Sequence, residues 1–171
     1  MAVADATVLI GLAKIGLLDL LAGLFETVLI SPRVEEEVVE RGLAAGATEV
    51  VYVQEALRAG WLIRAPLSRE ESVLASRLEQ RPGVHRGEAE ALALAGSRQQ
   101  MLLADEKQAR TIARSLGIEV MGTAGILLEA RNSGRFTGGE LETAVKRLTA
   151  VLWLSPEVVA DILSRASEVG K

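Results

Sequence analysis

Short apolar runs that stop at a polar residue, each followed by a stretch of helical spacing, recur along this chain. The first run covers residues 1–4 and ends at Asp5; helical spacing then holds over 8–14 and resumes from 17 to about 24. Residues 27–30 form a second run, closed by Ser31-Pro32, a pair that starts a helix with Ser as cap and Pro at the first helical position. The helix over 33–41 carries Val34, Val38 and Val39 on one face and glutamates around the rest, and Gly42 is read as its end. A further helix over 47–59, a short strand over 61–65 and a helix over 69–80 follow, the last opened by Ser68 and Glu71 in capping-box form. Pro82-Gly83 breaks the chain before an alanine-rich helix over 87–95.

The run Met101-Leu102-Leu103 leads through Ala104 to the acid pair Asp105-Glu106, after which helical spacing extends to about Leu116. An apolar run of this kind reads as a strand buried on both faces, and an acid at its carboxyl end points into the crevice where open α/β sheets bind ligands. Taken alone, Asp105 reads first as the N-cap of the helix that follows. Residues 118–121 are another strand, and Gly122-Thr123-Ala124-Gly125 a tight turn into a helix over 126–131. Thr137 with Glu140 opens a helix to about 151, and Ser155-Pro156 starts the last one. Strands alternating with helices predict an α/β sandwich on a mostly parallel sheet, with residues 1–171 as one domain.

Composition narrows the chemistry. The chain has 171 residues, 49% apolar and 3% aromatic, so its core is aliphatic. It holds no cysteine and one histidine, which excludes disulfides and thiolate or multi-histidine metal sites and agrees with a reducing, cytoplasmic setting. A bound metal needs oxygen ligands and would be Mg²⁺ or Mn²⁺. The net charge of −4 advertises no broad basic face; Arg77, Arg81 and Arg86 form at most a local cluster. Residues 1–30 are apolar, but Asp5 stands where a signal peptide carries positive charge, and Lys14 and Asp19 interrupt any membrane span. The segment is expected to be soluble core.

Asp5 and Asp105 both close strands, and Glu88 opens the helix before the central strand. Parallel neighbours would bring these ends together. Clustered carboxylates raise one another's pKa unless a cation compensates, so a cluster without a basic partner implies a divalent metal. His85 reads as a solvent-facing turn residue. Arg110 and Arg114 read as a solvated helix face or as partners of Glu106.

Four segments, MAVADATVLIGLAKIGLLDLL, SPRVEEEVVERG, HRGEAEALALA and LLADEKQARTIARSLGIEVMGTAGILLEAR, together resemble the PIN domain, in a branch akin to the toxins of VapBC toxin–antitoxin pairs and often classed as a domain of unknown function. The resemblance covers about residues 2–131 and leaves helices over 137–171 beyond it. It implies a three-layer α/β/α sandwich and a Mg²⁺- or Mn²⁺-dependent ribonuclease with a quartet of acids. Carried over, these acids are Asp5, Glu37, Glu88 and Asp105, with Thr7 as a supporting hydroxyl and Glu106 as an auxiliary acid. The run Glu35-Glu36-Glu37 leaves a register in which Glu36 replaces Glu37. Leu103-Ala104 stand before Asp105 where many members have Thr or Ser. The resemblance also implies an RNA substrate, a homodimer and an antitoxin protein as partner, with no membrane. A catalytically inactive PIN-like module that binds RNA or protein is the alternative. An acid-pocket phosphatase or phospho-receiver ranks last, because no second acid follows Asp5 at two residues and no Lys closes a later strand.

Overall fold

The structure is a computed structural model, and it describes residues 1–168. The last three positions of the expected terminal helix, 169–171, lie outside the described residues. In chain order the elements are β1 (Ala2–Ala4), α1 (Ala6–Lys14), α2 (Leu20–Phe25), β2 (Val28–Ile30) and α3 (Pro32–Glu35). A π-helical segment, Glu36–Glu40, leads into α4 (Arg41–Ala44), α5 (Val50–Ala59), β3 (Leu62–Arg64), α6 (Arg69–Glu79) and α7 (Arg86–Arg98). Then come β4 (Met101–Leu103), α8 (Lys107–Ser115), β5 (Val120–Met121), α9 (Thr123–Asn132), α10 (Gly138–Thr149) and α11 (Pro156–Glu168).

The strands form one five-stranded sheet in the order β3-β2-β1-β4-β5, and every pairing is parallel. Side chains of successive strand residues fall on opposite faces, and the two halves of the core follow that alternation. Ala2, Ala4, Val28, Ile30 and Leu103 pack with α1, α5 and α9–α11 on one face. Val3, Leu29 and Leu102 pack with α6, α7 and α8 on the other. The result is the three-layer α/β/α sandwich, with a fully parallel sheet.

Helix α7 is the spine of the second layer. Gly87 and residues 89–95 are all buried, because α7 is wedged between the sheet, α6 and α8. Alanine at positions 89, 91, 93 and 95 lets the helix sit close to β1 and β4, while Leu92 and Leu94 fill the space left. An ion pair ties α6 to α7: Arg98 Nε and Nη2 donate to Glu71 Oε1 and Oε2 at 2.8 and 3.1 Å.

Three local readings of the sequence change. The helix read over 33–41 does not stop at Gly42; it loosens into the π segment and continues to Ala44. The run 122–125 is already helical from Thr123, with Gly122 as the cap residue, so it is a helix start and not a separate turn. Asp105 does not cap α8, whose cap residue is Glu106.

Candidate functional site

In an open parallel sheet, the point where successive connections leave in opposite directions opens a crevice at the carboxyl ends of the strands. Here that point lies between β1 and β4, since the chain builds outward from β1 to β2 and β3 on one side and to β4 and β5 on the other. The register Ala4↔Leu103 sets the two ends level. Asp5 follows β1 directly, and its backbone N–H donates to Leu103 O at 3.0 Å. Asp105 follows β4 after Ala104, so the two aspartates flank the crevice from adjacent strands.

Asp5 is 2% exposed. Its Oδ1 accepts from the Val8 N–H at 2.9 Å and so caps α1, but its Oδ2 is buried with no hydrogen-bond partner. Burial pushes the carboxyl pKa up to about 8 against the relief given by the Val8 bond, and Asp105, Glu88 and Glu106 raise it further through their charge. A buried polar atom left unpaired is costly and calls for an explanation such as a ligand or ion. Thr7 sits two residues on in α1, half-buried.

Asp105 caps a helix, though not its own. Its Oδ1 accepts from the Thr123 backbone N–H at 2.8 Å and its Oδ2 from Thr123 Oγ1 at 2.5 Å. Thr123, fully buried at the start of α9, therefore fixes the orientation of a carboxylate supplied from β4. Gly122 leaves room for this approach: a Cβ there would lie 2.8 Å from Asp105 Oδ1 and 3.1 Å from Arg110 Nη1, and one of the two side chains would have to shift.

Glu88 sits in the first turn of α7, where its Oε2 accepts from the His85 N–H at 3.0 Å. Burial raises its pKa, the His85 bond and charge oppose the shift, and Glu106 and Glu37 add to it. His85 itself is exposed, as a turn residue should be. Glu106 is exposed at the start of α8.

Glu37 arrives from the other side. It belongs to the π segment, and π turns are rare and often found at functional sites. Its Oε1 accepts from Arg33 Nε at 3.1 Å, and its Oε2 lies 2.7 Å from where a Gly87 Cβ would be. Glu36 points elsewhere, with both oxygens accepting from Arg33 Nη1 at 2.7 Å and its Oε1 lying 3.5 Å from Arg41 Nη2. Of the two glutamates, Glu37 is the one facing the start of α7. The structure thus gathers Asp5, Glu88, Asp105 and Glu106 around the crevice, with Glu37 one step out and paired with Arg33, which it shares with Glu36.

Sequence reading missed the support for this cluster. Thr123, Gly122 and Gly87 are not read from the sequence as part of the site, and only the fold sets them against the acids. Glu90 is another case: it is buried, accepts the Arg33 N–H at 3.2 Å and Arg86 Nε at 3.2 Å, and ties α3 to α7. The pairing of Arg110 with Glu106 does not form among the described residues; α8 begins so that Arg110 turns toward Gly122.

The donor set is all oxygen, which suits a hard divalent cation. Asp5 Oδ2 is the oxygen left without a partner, and no lysine or arginine among the described residues forms an ion pair with Asp5, Glu88 or Asp105. The acids are not drawn into a closed cage: no group of three or more histidine, cysteine or acid side chains among the described residues is arranged to hold a metal ion by itself. No helix is long and apolar enough to cross a membrane among those residues.

No curated protein matches the chain. A family model described as a PIN domain matches residues 1–168, which takes in the C-terminal helices beyond the four motifs. With an all-parallel sheet carrying acids at its switch point, and a family match over nearly its whole length, the chain belongs to the PIN domain family, whose members are generally nucleases that use divalent metals.

Proposed function

We propose that this protein is a Mg²⁺- or Mn²⁺-dependent endoribonuclease that hydrolyses RNA phosphodiester bonds, with Asp5, Glu37, Glu88 and Asp105 as its site acids. The observation that carries the reading is Asp5 Oδ2, a buried, unpartnered carboxylate oxygen at the switch point of the sheet, under the charge of three further acids. Such an arrangement is unfavourable by itself and becomes favourable when a divalent cation is shared among the carboxylates.

Asp5 and Asp105 would hold the cation from adjacent strand ends, with Glu88 opposite them on α7. A cation bound there supplies Lewis-acid chemistry at the phosphoryl group and lowers the pKa of the attacking water. The rest falls to the chain. Thr123 keeps the Asp105 carboxylate in one rotamer through two bonds, and α1 does the same for Asp5 through Val8. Glu88, its pKa raised by burial, stands on α7 facing the two aspartates. Glu37, held by Arg33 and pressed on Gly87, completes the rim. Glu106 and Thr7 are auxiliaries at the edge.

The toxin half of the reading rests on the resemblance: a cytoplasmic homodimer held inactive by an antitoxin protein. A catalytically inactive module that binds RNA or protein is the competing reading, favoured by the occupation of both Asp105 oxygens by Thr123. Cleavage of a labelled RNA with Mn²⁺ decides between them. Wild type should cleave, with Asp5→Asn and Asp105→Asn slower by about 10²-fold or more. Equal activity in wild type and Asp5→Asn refutes the site.

A further inference from the structure

Several cations of this acidic protein are engaged by acids. Arg33, Arg64, Arg86 and Arg98, on α3, β3 and α7, each pair with a glutamate. Helix α8 differs. Lys107, Arg110 and Arg114 stand at i, i+3 and i+7, a spacing that puts them on one helix face. Ala109, Ile112 and Ala113 are buried on the other side. None of the three cations has an acid within ion-pair range among the described residues, although Glu106 precedes Arg110 by one helical turn. Lys107 and Arg114 are exposed, while Arg110 is half-buried because its guanidinium leans over Gly122, where Nη1 and Asp105 Oδ1 face the same point.

We propose that this face of α8 is the track for the phosphodiester backbone of the substrate strand, with Arg110 contacting the phosphate nearest the acids and Arg114 one further along. The proposal rests on the ribonuclease reading for where the strand is cut, but the surface is argued from its own charges. With a net charge of −4, the protein as a whole offers a polyanion no net attraction. A strand entering the acid crevice therefore needs unpaired cations at the entrance, and α8 begins two residues after Asp105. Arg110 is placed to meet a planar pair of phosphate oxygens, which its fork of donors matches better than an ammonium does.

Salt dependence gives a readout that a purely structural role does not move. Binding of a fluorescein-labelled single-stranded RNA is measured by anisotropy in EDTA, which stops metal-dependent turnover, across a series of salt concentrations. For a single strand, log K falls with log salt by about 0.7 per neutralised phosphate. The triple variant Lys107→Gln/Arg110→Gln/Arg114→Gln should lose about 2 from the magnitude of that slope, and Arg110→Gln about 0.7. Arg58→Gln, an exposed cation on α5 in the opposite layer, should keep the wild-type slope. Arg110→Lys should restore the slope lost in Arg110→Gln. A triple variant with an unchanged slope overturns the proposal, and if wild type still cleaves RNA with Mn²⁺ the ribonuclease reading survives it. A reduced slope in a protein that cleaves nothing upholds the track and refutes the ribonuclease instead.

Discussion

Replacing Gly87 with alanine separates the geometry of the acid cluster from the stability of the fold. The new Cβ would stand 2.7 Å from Glu37 Oε2, 3.2 Å from its Cδ and 3.3 Å from Oε1. Ordinary contact lies at about 3.5–4.0 Å, so the carboxylate has to retreat by roughly 1 Å. The obstacle is the end of a flexible side chain, so the backbone need not move. The cost to folding is the Arg33–Glu37 bond, a partly buried pair at i, i+4 worth about 0.5 kcal/mol. Against it, alanine favours a helix over glycine by up to about 1 kcal/mol. The melting temperature should therefore stay within a few degrees of wild type, and a small rise is as consistent as a small fall. Activity should not be spared, because a displacement of about 1 Å in a positioned group costs on the order of 10²-fold. Initial rates of RNA cleavage with Mn²⁺, alongside thermal unfolding, measure both. An unchanged rate in Gly87→Ala would show that Glu37 takes no part in the site. A melting temperature lowered by ten degrees or more would show that the glycine serves packing and not the carboxylate. Glu36→Gln is the companion: it keeps activity if Glu37 is the site acid, whereas Glu37→Gln loses it.

Other expectations follow from the same contacts. The folded-state pKa of Asp5 lies near 8 against an ordinary 3.8, so across that window the folded metal-free protein keeps a proton that the unfolded chain has released. Stability then falls as pH rises, by at most about 1.4 kcal/mol per unit. Asp5→Asn retains the Oδ1 acceptor for Val8, so its melting temperature in EDTA should decline less than that of wild type between pH 5 and pH 8; parallel curves would contradict the buried-acid account. Thr123→Val leaves Asp105 with the backbone donor only and should cost about 1 kcal/mol of stability with a disproportionate loss of cleavage. Thr123→Ser should recover both. Arg98→Met strands the buried Glu71 carboxylate, whose pKa is held down first by its bond to Arg98, and should cost about 1–3 kcal/mol at pH 7 after allowance for the partial exposure of Arg98. Because that pKa is depressed, the difference should shrink as the pH falls through the carboxylate range, which urea unfolding at pH 7 and pH 3.5 would detect.

What the sequence determined by itself was local and periodic. The apolar runs at β1, β2 and β4, the capping boxes at Ser68 and Thr137, and the Ser-Pro helix start at α3 are short-range features, and each was legible from residue types a few positions apart. So were the acids at the strand ends, since an acid directly after an apolar run stands out without any tertiary knowledge. The register among Glu35, Glu36 and Glu37 was not legible, because helical spacing assumes a regular helix and the π segment abandons it. Nor was the partner of Asp105: its own helix offered the nearer N–H groups, but Thr123 supplies an N–H and a hydroxyl together from 18 residues away, a choice only the β4–β5 pairing makes possible. The strand order decided the most. Asp5 and Asp105 are a hundred residues apart in sequence, and they face one crevice because β4 pairs with β1 in the level register Ala4↔Leu103; without that pairing each is simply an acid at the end of a strand.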